Sequence, residues 1–593
     1  MYYKMINIHF LYICFIVLGL FTFANAQSDT IRYNVISLIN ETHSMGVVID
    51  NITYPLMPHH SGIPILHSGE APIAKSGYSY VKITKEENNN TEVEPFMRSP
   101  STKDTVNEFF KRSWNKRPLT QLPTLYKPLD DIHRIYSQLH IDDEIPTIHL
   151  IASQNDIDKL HTSNSTEDIE VTANMTYVTL NDTLVFQNTT LSLSGRSSRW
   201  MPKLSYNIKL DKKDRLYDYR RLKLRALYTD PSYIREKMAY DVIKSVGLLS
   251  SELSYVRVMI NHHEIGLFGL IDTFKDPWLA NVFANGNEDY KNGYLYQGVF
   301  MSPTSGLTNH TSDLAYYDNI TEYSDGQYKI KVEPSDGEGG EVKDAYEPLM
   351  AFTKFIKDAP TNTSDAVTEW RKHLNTESFL RSMALEVILG YSDGYLSMAD
   401  NYYLYQNPDR NNFFYISSDM DLTLGSTMFK LDWMWSGNYS TFPGMGTRPL
   451  MNKILQVPEF KQRYEELLVD IAKNLVNPVV MNSRINDIVN MLEEDVEWDR
   501  RLPRVGKDVF SEMVNNNISS EVTAVIGNEI PSNFDLDTML DFLFNSNETI
   551  SFKDAVNGPT GRKSLSGVKE WIHNISKNIL SFYNLNTGNT SVF

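Results

Sequence analysis

Cysteine is almost absent from this chain of 593 residues. The single Cys14 lies in an apolar segment near the N-terminus, so the remaining sequence can form neither a disulfide nor a thiolate metal site. Basic residues are also in deficit, because 56 Lys and Arg face 74 Asp and Glu and give a formal net charge of −18. That balance opposes binding to nucleic acid or to anionic lipid, although it says nothing about a local basic pocket. After the N-terminal segment no apolar run is long enough to cross a bilayer, so we expect no transmembrane segment.

The N-terminal segment predicts export from the cell. Lys4 precedes an apolar run that ends in Ala24-Asn25-Ala26, the order typical of a secretory signal peptide over residues 1–26. A retained signal anchor is the alternative. Asn-x-Ser/Thr sequons recur along the chain, and its end lacks the apolar tail of a glycosylphosphatidylinositol signal. We therefore expect a secreted glycoprotein, located in the extracellular space or at a spore or cell surface.

The hydrophobic pattern predicts an α+β fold that follows a small all-β domain. Residues 27–95 alternate short apolar runs with Pro, Gly and Asn turns, which indicates strands without a helical period. Residues 96–140 are punctuated by Pro, Lys and Arg and predict an extended connector. Residues 141–583 then form one α+β domain, and residues 584–593 a C-terminal tail.

Period-two alternation dominates the segment from Leu191 to Leu210. It predicts a strand, a turn over Ser194 to Arg199 and a second strand, whose apolar positions alternate with polar ones. This alternation places Lys203 and Lys209 on one face of the second strand.

Further along, a helix and a hairpin are predicted. Asp230 followed by Pro231 is a favourable start for an amphipathic helix that Gly247 terminates. Two strands between Ser254 and Phe274 flank the turn Asn261-His262-His263. We interpret this turn as an exposed hairpin end rather than a metal site, because adjacent histidines point apart and no third ligand is near in sequence.

The most informative stretch is YSDGYLSMADNYYLYQNPDRNNFFYISSDMDLTLG, which begins at Tyr391. The preceding segment, Thr376 to about Leu389, predicts a helix with a buried apolar stripe. Asn401 opens a strand, the turn Asn407 to Asn412 reverses the chain, and a returning strand covers Phe413 to Ser418.

Hard oxygen ligands in this stretch suit a magnesium site. If the returning strand continues through Asp419-Met420-Asp421, both carboxylates face one side, and the amide oxygen of Asn401 could join them on Mg²⁺ or Mn²⁺. Asp393 would then be free to accept the proton of a substrate hydroxyl. Kinases use the same order of Asp, Asn and Asp, whereas the alternative is that these residues merely cap turns.

Motifs of the common enzyme classes are missing. The sequence has no Gly-x-Ser-x-Gly elbow, no His-Glu-x-x-His, no Walker loop and none of the three signature motifs of ordinary protein kinases. The glycine-rich segment 335–341 carries three carboxylates that would repel phosphate, so we interpret it as a solvated loop.

Four segments in order resemble the spore-coat protein CotH kinase family. They read SGRSSRWMPKLSYNIKL, LRALYTDPSYIREKMAYDVIKSVGL, VRVMINHHEIGLFGLIDTF and the stretch that begins at Tyr391. The resemblance covers roughly residues 145–500 and is close to the secreted and surface members of mucoralean fungi. It implies an atypical protein-kinase-like fold, ATP with a divalent metal, and phosphorylation of coat proteins.

The resemblance also implies roles for individual residues. Asp393 matches the catalytic aspartate of the family. The implied metal ligands are three oxygen-bearing side chains: Asn401, Asp419 and Asp421. The implied phosphate-binding residues are those of the turn and the lysines after it: Gly195, Arg196, Ser197, Lys203 and Lys209. Spacing leaves open whether Lys203 or Lys209 reaches the phosphates.

Two classes of function therefore remain. The first is a secreted atypical kinase that transfers the γ-phosphate of ATP to Ser or Thr of a coat or cell-wall protein. The second is a surface adhesin or invasin that engages a host cell-surface receptor, or a structural spore-coat protein, on the same fold. Bacterial members of the family commonly have Pro-Trp before the metal site where this chain has Ser417-Ser418, and often Glu where this chain has Asp272. These departures weaken the inference of catalysis without removing a ligand or the base.

Overall fold

The computed structural model describes residues 30–59, 63–84, 91–163, 168–195, 197–300, 310–335, 344–508, 535–543 and 549–585. The expected signal peptide, Arg196, nearly all of the glycine-rich loop and most of the C-terminal tail lie outside these residues. The chain divides into two compact units, Met1–Asn115 and Lys116–Phe593.

The described part of the first unit consists of strands joined by turns. Seven strands form one sheet in the order β6-β5-β2-β3-β4-β1-β7. Only the pairing of β1 with β7 is parallel. The strands are β1 (Thr30–Ile36), β2 (His43–Ile49), β3 (Ile52–His59), β4 (Ile63–Pro72), β5 (Tyr78–Thr84), β6 (Thr91–Val93) and β7 (Glu108–Phe109).

The boundary of this unit lies further along the chain than the sequence indicated. Residues 96–115 were assigned to the connector, yet they complete the sheet of the first unit. Arg98 is buried and forms ion pairs with Glu94 at 2.7 Å and Glu108 at 3.2 Å, and Glu108 in turn accepts a hydrogen bond from Tyr80 at 2.8 Å. A buried charge is retained when it is paired and hydrogen-bonded, so this network fixes the segment to the sheet.

A closed barrel of seven strands opens the second unit. Its order is β10-β11-β12-β14-β13-β8-β9, and β9 pairs with β10 to close it. Leu222 and Leu224 lie in the core while Arg221, Lys223 and Arg225 alternate with them on the opposite face of the strand. The strands are β8 (Thr147–Ile151), β9 (Glu170–Val178), β10 (Thr183–Leu193), β11 (Tyr206–Lys209), β12 (Arg221–Arg225), β13 (Leu253–Ile260) and β14 (His263–Asp272).

A second sheet of four strands follows, in the order β16-β15-β17-β18. Its side chains Tyr403, Tyr405, Phe414 and Ile416 belong to the same buried cluster as the barrel residues, so the two sheets share one core. The strands are β15 (Leu295–Gly298), β16 (Tyr328–Val332), β17 (Tyr402–Asn407) and β18 (Asn412–Ser417).

Helices pack around these sheets. They are α1 (Gln154–Thr162), α2 (Arg235–Ser245), α3 (Trp278–Phe283), α4 (Thr321–Ser324), α5 (Glu347–Asp358), α6 (Ala366–His373), α7 (Thr376–Leu389), α8 (Tyr395–Met398), α9 (Leu431–Met434), α10 (Pro449–Ile454), α11 (Pro458–Asn474), α12 (Pro478–Arg501), α13 (Leu536–Leu543), α14 (Phe552–Asn557) and α15 (Val568–Phe582). Within the described ranges, no helix has the length and apolar character needed to span a membrane.

Several local predictions are confirmed. Helix α7 has the predicted bounds, with Asn375 as its N-cap and Gly390 in the left-handed conformation at φ 64° as its end. The hairpin β17–β18 also lies where the turn residues indicated. Helix α2 begins later than predicted, because Asp230 accepts hydrogen bonds from the backbone of Ser232 and Arg235 in a turn that precedes the helix.

Candidate functional site

Helix α7 delivers the loop that carries Asp393. The helix is buried on all sides rather than along one stripe, so it provides a rigid base for the loop. The buried carboxylate of Glu386, on its last turn, accepts hydrogen bonds from the backbone N–H groups of Tyr395 at 3.0 Å and Leu396 at 2.8 Å. These bonds satisfy donors at the start of α8 and hold the loop between the two helices in place.

Asp393 is positioned by Asn401. The Asn401 amide donates from Nδ2 to the Oδ2 atom of Asp393 at 3.0 Å and to its backbone carbonyl at 3.3 Å. Although the residue as a whole is partly exposed, its Oδ1 atom is buried and has no hydrogen-bond partner among the described residues. Burial and the nearby carboxylates of Asp421 and Asp400 raise the pKa of Asp393 well above its ordinary value.

Asp419 and Asp421 follow the hairpin but do not continue its strand. Strand β18 ends at Ser417, and Asp419 has a positive φ of 58°, so the backbone turns there and the buried Met420 points into the core. The period-two argument for placing both carboxylates on one side therefore does not apply. The turn brings them to a common partner nevertheless.

That common partner is Arg225, at the end of β12. Its guanidinium group contacts the carboxylate of Asp419 directly and lies 3.6 Å from that of Asp421. It also forms a two-point ion pair with Glu236 on α2, with both N···O distances at 2.9 Å. Glu236 is 2% exposed and accepts a further hydrogen bond from Tyr240 at 2.8 Å. One arginine thus connects the barrel, helix α2 and the Asp-x-Asp turn.

Lys223 adds a second positive charge on the same face of β12. Its ammonium group lies 3.7 Å from Asp419. Burial and the neighbouring Arg225 lower the pKa of Lys223 to about 7. Arg225 and the protonated form of Lys223 present positive charge at the edge of the carboxylate cluster, where it can bind phosphate oxygens.

The donor atoms of the cluster fit a divalent metal that shares its ligands with a substrate. No three His, Cys, Asp or Glu side chains converge as a metal cage in the part of the chain that is described. Asp419 and Asp421 instead meet around the positive charge of Arg225, and the buried Oδ1 atom of Asp393 has no partner there. Mg²⁺ commonly takes one or two carboxylates and completes its shell with water and substrate phosphates, so this open arrangement suits it.

The residues of the predicted phosphate turn have different surroundings. Gly195 has a φ of 81°, and a Cβ atom there would overlap the hydroxyl of Ser198, so the turn requires glycine. Arg196 lies outside the described residues, and Ser197 begins a short 3₁₀ turn that ends at Trp200. The turn joins β10 to the segment before β11.

The structure separates the two candidate lysines. Lys203 precedes β11 and is buried, with its ammonium group bound to Asp499 at 2.7 Å and to the carbonyl of Leu267 at 2.6 Å. No described contact joins Lys203 to Asp393 or to the Asp-x-Asp turn. Lys209 lies in β11 directly opposite Arg221, on the face of the sheet that also carries Lys223 and Arg225.

Sequence reasoning missed three residues of this site: Lys223, Arg225 and Glu236. A signal was present in the segment RLKLR, where basic residues at every second position must share one face of a strand. Glu236 follows 11 residues after Arg225 in the next helix. A basic residue on a strand paired with a glutamate on the following helix is the arrangement that aligns the phosphates in protein kinases.

Comparison with known proteins identifies the family of this chain. A family model described as CotH kinase protein matches residues 191–502, more than half of the chain. The chain is 28% identical over 421 residues to invasin CotH2 of Rhizopus delemar, covering 69% of this chain and 67% of that protein. It is 25% identical over 525 residues to invasin CotH3 of the same fungus, with coverage of 86% and 82%.

A bacterial relative shows the same similarity at lower coverage of this chain. The inner spore coat protein H of Bacillus subtilis is 25% identical over 337 residues, which cover 55% of this chain and 84% of that protein. The family match includes each site residue described above, from Gly195 to Asp499. The resemblance found in the sequence is confirmed, and the chain belongs to the CotH kinase protein family.

Proposed function

We propose that this protein is a secreted atypical protein kinase that transfers the γ-phosphate of ATP to Ser or Thr of a coat or cell-wall protein. The single observation that carries the proposal is the bridge made by Arg225. It joins a glutamate on α2 to the two carboxylates of the Asp-x-Asp turn, beside an aspartate held by Asn401. A stable scaffold has no physical need for this concentration of buried charge, whereas phosphoryl transfer requires it.

When bound, ATP with Mg²⁺ or Mn²⁺ supplies the electrophilic phosphorus and neutralises the charge that develops on the phosphate oxygens. Asp419 and Asp421 are the proposed ligands of the metal, and the Oδ1 atom of Asn401 is the third. Lys223 and Arg225 replace Lys203 as the proposed phosphate contacts, because they lie beside the Asp-x-Asp turn, whereas Lys203 is buried against Asp499. The ion pair with Glu236 orients the guanidinium group of Arg225.

Asp393 is the proposed acceptor of the proton of the substrate hydroxyl. Its raised pKa makes the carboxylate a stronger base than an ordinary aspartate, provided that it is ionised when the substrate arrives. Binding of positive charge near Asp421 would favour that ionised state. The Asn401 amide fixes Oδ2, so the unpartnered Oδ1 is the atom that receives the proton.

Calorimetric titration with ATP, with and without Mg²⁺ or Mn²⁺, tests this proposal. We expect metal-dependent binding that Asp419→Ala abolishes and Asp393→Asn leaves intact, while Asp393→Asn removes phosphate transfer to a Ser/Thr acceptor. Asp409→Ala is the matched control, because it removes a carboxylate from the exposed hairpin turn of the same segment. Metal-dependent binding that survives Asp419→Ala would refute the assignment.

A second function is favoured by the names of two relatives, invasin CotH2 and invasin CotH3. On this hypothesis the protein is an adhesin that engages a host cell-surface receptor through the exposed turn between β17 and β18. Pro408, Asp409 and Arg410 are exposed in that turn. Cell-binding assays with Asp409→Ala and Arg410→Ala distinguish the two functions, since adhesion should depend on the turn and be insensitive to Asp419→Ala.

A further inference from the structure

A row of basic side chains extends the candidate site along the outer face of the barrel. Lys223 and Arg225 lie at its inner end, beside Asp419. Arg221 shares the same face of β12, because residues at every second position of a strand point the same way. Lys209 on β11 lies directly opposite Arg221, and Lys275 follows strand β14. We call these five residues the basic strip.

The outer half of the basic strip has no matching negative charge in contact with it. Among the described residues, Lys209, Arg221 and Lys275 form no salt bridge, whereas Arg225 has three carboxylate partners. The carboxylates that influence the outer half, Glu170 and Asp276, act at a distance. This local surplus of positive charge contrasts with the formal net charge of −18 of the whole chain.

Crowding of these cations costs free energy in the absence of a ligand. Two like charges directly opposite each other on neighbouring strands destabilise a sheet, and Lys209 opposite Arg221 is such a pair. Burial and the nearby Arg221 and Lys209 lower the pKa of Lys275, and burial and Arg220 lower the pKa of Arg221. Repulsion of this kind is relieved when an anion binds.

The geometry of the strip indicates a narrow ligand with repeated charge. Arg221, Lys223 and Arg225 follow one another at two-residue steps, so the row on β12 alone is about 13 Å long. The side chains of Lys209 and Arg221 are half-buried, which favours a thin chain over the convex surface of a folded acidic protein. The inner end of the row coincides with the proposed position of the transferred phosphate.

We propose that the basic strip binds an oligophosphate, a linear chain of phosphoryl groups that extends from the Asp419 turn toward Lys209 and Lys275. Such a ligand could be inorganic polyphosphate or a nucleotide with an extended phosphate chain. The inference rests on the proposed function only for which phosphate occupies the inner end of the strip, beside Asp419. The outer residues are not needed to hold ATP and metal.

Binding of linear inorganic polyphosphate, compared with that of tripolyphosphate, tests the proposal in the full chain without metal. We expect polyphosphate to bind more tightly than tripolyphosphate. The double variant Lys209→Gln/Arg221→Gln should bind polyphosphate at least about tenfold more weakly for each cation removed, which is the loss expected for one charge-assisted hydrogen bond. If the double variant folds poorly, the single variant Lys275→Gln replaces it, with an expected loss of at least about tenfold for the one cation removed. The affinity should also fall as salt is added.

The matched control is Lys212→Gln/Lys213→Gln, which removes the same charge from the exposed turn after β11. Equal losses in the control and the strip variant would overturn the inference, because they would indicate binding to net charge alone. Strip-dependent binding of a phosphorylated or acidic peptide, without binding of polyphosphate, would also overturn it.

Titration with ATP and Mg²⁺ on the same variants separates this inference from the proposed function. Strip-dependent polyphosphate binding in a protein that does not bind ATP would support the inference and refute the kinase. Normal ATP binding with polyphosphate binding unaffected by the strip variant would support the kinase and refute the inference.

Discussion

Replacing Lys203 with methionine tests whether this lysine holds the fold or the phosphates. The change retains a side chain of similar length and removes the ammonium group, which is paired with Asp499 and lies 4.5 Å from the centre of the Phe268 ring. Lys203 and Asp499 are 1% and 0% exposed, so the variant leaves a buried carboxylate without its cation. Breaking a buried ion pair by removing one partner costs about 3–5 kcal/mol of unfolding free energy.

The cost should fall near the lower end of that range. Asp499 keeps hydrogen bonds from the hydroxyl of Tyr233 and the backbone N–H of Leu267, both at 2.8 Å, and Arg504 lies 3.5 Å away. We therefore expect Lys203→Met to lower the unfolding free energy by about 3 kcal/mol. The affinity for ATP and Mg²⁺ should stay at the wild-type value.

Denaturant unfolding and calorimetry on the same samples measure both quantities. Adding Asp499→Asn to Lys203→Met should recover part of the loss, because the charge is gone while an acceptor for Leu267 remains. Lys212→Met is the control: it removes a lysine from the exposed turn after β11 and should change the unfolding free energy by less than about 0.5 kcal/mol. A Lys203→Met protein of wild-type stability that binds ATP weakly would refute the reasoning.

Three further changes test other parts of the structure. Glu236→Gln removes the charged acceptor of Arg225, so it should lower the unfolding free energy by about 1–3 kcal/mol and reduce the single-turnover rate of phosphate transfer. An unchanged rate would contradict the proposed role of the Arg225–Glu236 pair. Burial raises the pKa of Glu386 from 4.5 to about 7, so the folded state binds this proton more tightly than the unfolded chain. This proton contributes up to about 3 kcal/mol to the unfolding free energy below pH 4.5, and the contribution is lost by about pH 7. The unfolding free energy should therefore fall between pH 5 and pH 7, and Glu386→Gln should remove that fall. Gly390→Ala should lower the melting temperature, with a cost of about 1–3 kcal/mol, because the new Cβ would meet Trp571 at a positive φ; Gly446→Ala, which meets nothing within 4 Å, is the control.

Features with local causes could be predicted from the sequence. The bounds of α7 follow from an N-cap asparagine, a run of helix-forming apolar residues and a glycine that ends the helix. The hairpin after Asn401 follows from alternation on both sides of an Asn-Pro-Asp turn. The sequence also indicated that Asp393, Asp419 and Asp421 belong to one site, because only a short loop and one hairpin separate them.

Features that depend on distant residues could not be predicted. Nothing near Lys203 in sequence indicates that Asp499, on α12, is its partner, so the lysine resembled a phosphate ligand. The first unit extends to Asn115 because Arg98 is buried between two glutamates, a fact of tertiary packing rather than of composition. The strand before Asp419 ended early because the backbone turns at that residue, and period-two patterns do not report such a turn.

The reach of α12 into the barrel has a consequence for synthesis of the chain. Lys203 and Asp499 are 296 residues apart, and Arg257 pairs with Asp495 on the same helix across 238 residues. At the ribosome's usual speed of ~5–20 residues per second, the lysine waits about 15–60 s for its partner. During that interval Lys203 and Arg257 lack the carboxylates with which they are paired when buried, so we expect the barrel to close stably only after the helix emerges. A chain that stops after the Asp-x-Asp turn would carry every carboxylate of the candidate site and still lack the helix whose carboxylates pair with the buried cations of the barrel.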